Sequence, residues 1–168
     1  MFSRAVLLTS LTALATLTAC APNTLRGRVG AQDIIKDFKV TPAKPQLKLN
    51  EYIKFSFKLE KAGFVTLFTT DSDRATYELD RNIKFAAGKF ELPSKNDSDA
   101  SGGKAAYQIA EPLGKQLVYL AFTEKPIPAD VKLKGILDEA ALEKRLREAL
   151  EKSGGARDVA SLEFEVIK

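Results

Sequence analysis

Alternating apolar and polar residues define the clearest strand in this chain. Between residues 53 and 60, isoleucine, phenylalanine and leucine alternate with lysine, serine and glutamate, which buries one face of a strand and leaves the other in water. A short turn at residues 61–63 leads into residues 64–70, which are largely apolar on both faces and predict a strand covered on both sides. We expect these two strands to pair as a hairpin at the centre of a sheet.

Shorter apolar segments, bounded by proline, glycine and aspartate turns, predict the other strands. They lie at residues 33–40, 75–79, 82–85, 89–93, 107–110, 116–123 and 160–167. One helix is predicted late in the chain, because Asp138 is a suitable N-cap, Gly154 ends the run, and leucines recur between them at four-residue spacing. The fold prediction is mainly β: an immunoglobulin-like antiparallel β-sandwich with this helix, near residues 138–153, inserted before the C-terminal strand.

The N-terminus has the pattern of an exported lipoprotein. Arg4 precedes an apolar run that is too short to span a bilayer comfortably. Leu17, Thr18, Ala19 and Cys20 then follow, an order that resembles the bacterial lipobox. The pattern predicts cleavage between Ala19 and Cys20 and lipid attachment to Cys20, whereas an ordinary secretory signal or an uncleaved membrane helix are the alternatives.

These features divide the chain into three segments. Residues 1–19 are predicted as a lipoprotein signal peptide, residues 20–32 as a lipidated polar tether, and residues 33–168 as the β-sandwich domain. The resemblance implies two or three acyl chains on Cys20, enough for stable attachment to the lipid bilayer. Because Ala21 is not the aspartate that signals inner-membrane retention in some bacteria, we expect a cell-envelope location with the outer membrane favoured over the inner membrane.

Composition limits the chemistry that the protein can perform. The 168 residues include no histidine, no tryptophan and only one cysteine, which excludes intramolecular disulfides, zinc sites of the Cys/His type and catalysis by an imidazole base. The net charge of +4 is mild and does not indicate a nucleic-acid-binding protein. We therefore predict a protein that is not an enzyme and needs no cofactor or metal.

One loop has a partial calcium motif. Asp97, Asp99 and Ser101, followed by Gly102, match the first half of an EF-hand loop, in which alternate oxygen ligands surround the cation. However, Gln108 stands where the bidentate glutamate is required. A solvated turn is the preferred interpretation and a calcium site the alternative.

The N-terminal half of the domain is rich in lysine. The lysines are Lys36, Lys39, Lys44, Lys48, Lys54 and Lys58. The preferred interpretation is that they form the solvent-exposed face of a sheet. Lysine also protects exposed strand edges from pairing with other strands. The alternative is a surface that docks on anionic lipid or polysaccharide, with Lys54 and Lys58 as the candidate contact residues.

Several turns follow one another in a fixed order. They are the glycine-started apolar strand and aspartate turn of residues 63–73, an Ala-Gly step at residues 87–88, Leu-Pro at residues 92–93 and Pro-Leu-Gly at residues 112–114. This order resembles that of an uncharacterised bacterial family, domain of unknown function 4384. The resemblance covers residues 47–122 and departs from the family pattern at residues 77–82. It implies an interaction module of envelope lipoproteins, without established catalytic residues.

Together these observations predict a membrane-anchored envelope lipoprotein that acts as a non-catalytic protein-interaction module, with another envelope protein as its partner. The alternative is a structural envelope protein that docks on cell-wall or surface-layer polymer through its lysine-rich face. Strong salt sensitivity of wall attachment would favour the second hypothesis, whereas copurification of a defined protein would favour the first.

Overall fold

The computed structural model describes residues 26, 29–94 and 105–168. Ten strands and one helix follow one another along this part of the chain. The strands are β1 (Ile35–Thr41), β2 (Gln46–Lys48), β3 (Tyr52–Leu59), β4 (Gly63–Thr70), β5 (Ala75–Phe85), β6 (Gly88–Leu92), β7 (Tyr107–Gln108), β8 (Gly114–Thr123), β9 (Gly135–Ile136) and β10 (Arg157–Ile167). The helix, α1, is Glu139–Ser153 and lies directly before the last strand, as predicted.

The strands form two sheets. In the small sheet, β3 lies between β1 on one side and β6 and β7 on the other. The large sheet has the order β2-β10-β8-β4-β5-β9. All neighbours pair antiparallel except β2 and β10, which run parallel. The prediction of a mainly β protein with antiparallel sheets in a β-sandwich arrangement is therefore confirmed.

The two sheets enclose a hydrophobic core, here named the inter-sheet core. Phe55 and Phe57 enter it from the small sheet, while Leu67, Leu120 and Phe122 enter it from the large sheet, and all five are almost completely buried. Each of these side chains occupies an alternate position of its strand, because successive residues point to opposite faces. The predicted period-two pattern of β3 thus fits the observed burial.

The opposite face of the large sheet is covered as well. Phe68 and Tyr119 stack there with ring centroids 5.0 Å apart. Leu142, Leu146 and Leu150 of α1 pack against them in a second cluster, the helix-side core. Since β4 and β8 contribute to both cores, the prediction that residues 64–70 form a strand covered on both sides is confirmed.

Local signals fix the ends of α1. The Asp138 side chain accepts a hydrogen bond from the Ala141 backbone nitrogen at 2.7 Å, which satisfies one of the free N–H groups of the first turn. Gly154 ends the helix with φ of 65°, a left-handed value that glycine adopts without steric cost. The predicted helix boundaries and both caps are confirmed.

The predicted hairpin between residues 53–60 and 64–70 is wrong. β3 pairs with β1, β6 and β7, whereas β4 pairs with β5 and β8, so the turn carries the chain from one sheet to the other. Gly63 begins β4 where a Cβ atom would lie 2.5 Å from the Phe122 ring and 2.7 Å from the Thr123 carbonyl oxygen. Only glycine fits this close approach without displacing its neighbours.

Residues 75–79 and 82–85 form one strand rather than the two that were predicted. The pairing of β5 with β4 shifts in register on both sides of Leu67, between Val65 and Leu67 and between Leu67 and Phe68, which is typical of a β-bulge. Asn82 lies in this region with φ of 53°. Its side chain exchanges two hydrogen bonds with the backbone of Ile127, at 2.8 and 2.9 Å, which hold the irregular strand against the following loop.

Candidate functional site

Two of the predicted sites lie outside the described residues. These are the lipidation and cleavage site at Ala19 and Cys20, and the calcium candidate formed by Asp97, Asp99 and Ser101. Both stay predictions.

A buried ion pair joins the start of the described chain to its last strand. Arg26 donates from Nε to Asp158 Oδ1 at 3.0 Å and from one terminal nitrogen to Asp158 Oδ2 at 2.6 Å. Asp158 has no exposed surface and also accepts from the backbone nitrogens of Ile35 and Val159, at 2.7 and 2.8 Å. A carboxylate with this many donors is stable in a buried position.

Residues near the end of the predicted tether contact the folded domain. Val29 is buried in the helix-side core, and the backbone nitrogen of Gln32 donates to the Arg157 carbonyl oxygen at 3.0 Å. The tether predicted over residues 20–32 stays a prediction, and these two residues of it have partners in the domain. Burial of a single valine was not visible in the polar and glycine-rich composition of this segment.

Charged neighbours extend the ion pair to the surface. Arg26 also donates to Asp33 at 2.8 Å, and Asp33 binds Lys36. The hydrogen bond to Asp158 raises the pKa of the Arg26 guanidinium. The hydrogen bond from Lys36 is the main cause that lowers the pKa of Asp33, which keeps this exposed carboxyl charged.

The predicted docking residues Lys54 and Lys58 lie together on the outer face of the small sheet. They flank Ser56 on β3, on the side opposite the buried phenylalanines. Neighbouring strands add three more lysines: Lys36 and Lys89 are opposite Lys58, and Lys39 is opposite Ser56. We name these residues the lysine face: Lys36, Lys39, Lys54, Lys58 and Lys89.

Only part of the lysine face is neutralised by neighbours. Lys58 binds Glu60 at 2.6 Å, and this hydrogen bond raises the pKa of the Lys58 ammonium group. Lys39, Lys54 and Lys89 form no ion pair within the part of the chain that the structure describes. These three charges are available to an anionic partner.

The other predicted lysines lie elsewhere. Lys44 binds Glu51 at 2.7 Å, and Lys48 belongs to β2 of the large sheet. The lysine-rich segment of the sequence is therefore split between two sheets, whereas Lys89 joins the lysine face from a distant part of the chain.

Three apolar side chains of β5 are exposed. Tyr77, Leu79 and Ile83 are 53%, 38% and 37% exposed. Tyr77 is opposite Thr69 and Ile83 is opposite the buried Val65, which places both on the inward side of the large sheet. Leu79 lies between them on β5. We name the three residues the open edge, because they are only partly covered.

A cleft of about 700 Å³ lies beside the open edge. Ile53 and Phe55 from the small sheet and Val118 and Phe164 from the large sheet contribute apolar lining. The Tyr107 hydroxyl donates to the Asp80 carboxylate, a contact that ties β7 to β5. Apolar walls with a few polar groups at the rim are typical of a site that binds another molecule.

Asp71 stabilises the turn between β4 and β5. It is buried, and its Oδ1 accepts from the backbone nitrogens of Asp73 and Ala75, each at 2.9 Å. This arrangement is the Asx turn that aspartate favours. It fits the aspartate turn predicted at the end of residues 63–73.

Neither a metal site nor a membrane-spanning helix is found among residues 26, 29–94 and 105–168. No group of three or more acidic, histidine or cysteine side chains in these ranges is placed to hold a metal ion. No helix in this part of the chain has both the length and the apolar character that crossing a membrane requires.

The sequence did not indicate Arg26, Asp158 or the open edge as functional residues. Arg26 and Asp158 are 132 positions apart, and neither belongs to a local sequence motif that would indicate a functional residue. Tyr77, Leu79 and Ile83 have ordinary strand spacing, so their exposure depends on the unequal size of the two sheets.

Comparison with protein families and curated proteins identified no relative of this chain. A scan against models of protein families gave no match, and a search of curated proteins gave none either. The resemblance to domain of unknown function 4384 stays a prediction from the turns described above.

Proposed function

We propose that this chain is a lipid-anchored protein of the bacterial cell envelope and that its domain is a non-catalytic module that binds another envelope protein. The anchor is acylated Cys20, and the outer membrane is the favoured location. The open edge carries the binding part of the proposal, because Tyr77 and Leu79 expose apolar surface in the lining of the 700 Å³ cleft and Ile83 exposes more on the same strand. Exposed apolar surface beside a cleft is typical of an interaction site.

The chemistry of the cleft supports a polypeptide partner. Its walls are apolar, while Glu78, Gln108 and Gln116 supply polar groups along the lining. An apolar side chain of a partner fits between the two sheets, and backbone amides of the partner find donors and acceptors at the rim.

Site-specific crosslinking in living cells tests this function. A photoreactive amino acid is placed at Tyr77 or Leu79, and the matched control carries it at Lys144, an exposed position on α1. We expect both open-edge positions to capture the same protein, the control to capture none of it, and Leu79→Asp to abolish capture from position 77. Capture of that protein equally from Lys144 would contradict the proposed site.

The anchor is tested separately. Replacing the cysteine by serine, Cys20→Ser, is expected to block processing and to move the protein out of the membrane fraction. Mass spectrometry of the wild-type protein should find acyl chains on Cys20, and a soluble mature protein with a free thiol there would refute the anchor.

A structural role on cell-wall or surface-layer polymer is the second candidate. The free charges of Lys39, Lys54 and Lys89 support it, since a polyanion is complementary to such a surface. Attachment to isolated cell walls that is lost at high salt, and is weakened by Lys54→Ala, would favour this role.

The finer classification is a proposal as well. The two antiparallel sheets packed around one core support the immunoglobulin-like class, and the order of turns supports the resemblance to domain of unknown function 4384. Solved structures of that family, compared strand by strand with this chain, would test both.

A further inference from the structure

One end of the sandwich has an excess of positive charge. Strand register identifies this end: the first residue of β1 is opposite the last residue of β3, which is opposite the first residue of β6. The first residue of β10 is likewise opposite the last residue of β8. We name this end of the sandwich the anchor end. It consists of the first two residues of β1, β4, β6 and β10, the last two residues of β3, β5 and β8, and the turns that adjoin them. Its lysines are Lys36, Lys58, Lys61, Lys84, Lys89 and Lys125.

Fewer carboxylates than cations lie at the anchor end. Asp33 and Glu60 bind two of the lysines, and Asp158 binds Arg26. Glu124 accepts a backbone hydrogen bond at 2.9 Å, and Asp37 lies one residue further along β1. Arg157 adds another cation at the start of β10. Four exposed lysines form no ion pair within the described residues: Lys61, Lys84, Lys89 and Lys125.

The opposite end of the sandwich has a different charge pattern. The strand ends and turns there, with the start of α1, contain seven carboxylates and five cations among the described residues. The carboxylates are Glu51, Asp71, Asp73, Glu91, Glu111, Asp138 and Glu139, and the cations are Lys44, Lys48, Arg74, Lys115 and Lys168. The excess of positive charge therefore belongs to the anchor end and is not a property of the whole surface.

The chain enters the domain at this basic end. Arg26 is bonded to Asp158 at the start of β10 and donates to the Ile35 carbonyl oxygen, at 3.4 Å, at the start of β1. Cys20 precedes Arg26 by six residues, which span at most about 21 Å when fully extended. By comparison, β8 with its 10 residues is about 33 Å long. The anchor end is thus the part of the domain that a lipid on Cys20 holds closest to the bilayer.

We infer that the anchor end rests on the anionic phospholipid headgroups of the membrane that holds the chain, an inference that depends on the lipid anchor proposed at Cys20. Lysines within a Debye length of an anionic membrane surface are attracted to it. The short connection keeps their local concentration at that surface high, so that even a modest attraction orients the domain. In this orientation Tyr77 and Leu79, near the start of β5, point away from the membrane and towards a partner.

Lysine reactivity in vesicles tests the orientation. The full acylated protein is reconstituted in vesicles of phosphatidylcholine alone or mixed with phosphatidylglycerol, and each lysine is labelled with an amine-reactive reagent and quantified by mass spectrometry. We expect Lys61, Lys89 and Lys125 to react about fivefold more slowly in the anionic vesicles, since each lysine near such a surface is held by it. Lys115 and Lys144 are the internal controls and should react equally in both. High salt should remove the difference.

The other outcomes separate the inference from the proposed function. Equal labelling of all lysines in both vesicles would overturn the orientation while leaving the anchor intact. A protein that floats with neither vesicle would overturn the anchor and the orientation together. If isolated cell-wall polymer protected the same lysines and anionic vesicles did not, the anchor end would bind the polymer and the inference of a membrane surface would be wrong.

The double variant Lys61→Glu/Lys125→Glu should lose the protection of Lys89, whereas the matched Lys115→Glu/Lys144→Glu should keep it.

Discussion

The two sheets carry opposite chemistry on the faces that point away from the inter-sheet core. The large sheet places Phe68, Tyr119 and Val159 on its outer face, where α1 covers them. The small sheet places Lys39 and Lys54 on its outer face, where nothing in the described chain covers them. A sheet with two apolar faces needs a second layer to exclude water, whereas a sheet with one polar face does not.

This difference predicts where a substitution changes stability. Substitutions on the covered face should change the free energy of unfolding, because they open cavities in a packed cluster. Substitutions on the lysine face should leave the free energy of unfolding nearly unchanged, because its side chains are in water.

The substitution Leu146→Ala should lower the free energy of unfolding by about 2–5 kcal/mol, because it removes a fully buried side chain from the helix-side core. Urea unfolding followed by circular dichroism measures the change. The matched control is Lys144→Ala on the exposed side of α1, for which we expect a change below about 0.5 kcal/mol. A similar small change for both variants would show that α1 does not pack on the large sheet.

The substitution Arg26→Ala should lower the free energy of unfolding by about 1–3 kcal/mol, because it leaves the buried Asp158 carboxylate with only its backbone donors. A double-mutant cycle with Asp158→Asn isolates the coupling between the two side chains. Arg147→Ala removes an exposed ion pair on α1 and is the control, with an expected loss of about 0.5 kcal/mol or less. Additive effects in the cycle would contradict a direct ion pair.

Alkaline pH should destabilise the covered face through Tyr119. Burial, together with the nearby carboxylates Glu139 and Glu163, raises the pKa of this phenol above its usual value of 10.0. The unfolded chain therefore releases the proton at lower pH than the folded one, and stability falls as pH rises above 10. Urea midpoints measured across this range should decline less steeply for Tyr119→Phe. Equal slopes for both proteins would mean that the phenol titrates as if exposed.

The smallest effect is expected on the lysine face. The double variant Lys39→Ala/Lys54→Ala should change the free energy of unfolding by less than about 0.5 kcal/mol, because neither lysine has an ion-pair partner among the described residues. Thermal unfolding measures this. A loss above about 1 kcal/mol would mean that this face contributes to the stability of the fold, and would remove the contrast between the two sheets.

Elements with local signals could be predicted from the sequence. The helix α1 is bounded by Asp138 and Gly154, and its leucine spacing is visible within four turns. The buried face of β3 follows from its alternation, and the double coverage of β4 follows from its continuous apolar run. Each of these inferences needs only a short stretch of chain.

Features that depend on distant pairing could not be predicted. Alternation shows which side of β3 is buried but not which sheet the strand joins, so the turn before Gly63 resembled a hairpin. The bond between Arg26 and Asp158 joins residues 132 positions apart in the sequence, and the exposure of Tyr77 and Leu79 depends on how the two sheets pack. The candidate surfaces are therefore properties of the assembled sandwich.

The bond between Arg26 and Asp158 also has a mechanical consequence if the proposed lipid on Cys20 holds the chain. A force applied at the amino terminus would reach Arg26 before it reached β1, and Asp158 would transmit it directly to β10. Because ten successive residues of β10 pair with β8, the load would be spread over a long ladder before β1 separated from β3. One guanidinium group would thus protect the first strand from a force applied at the amino terminus.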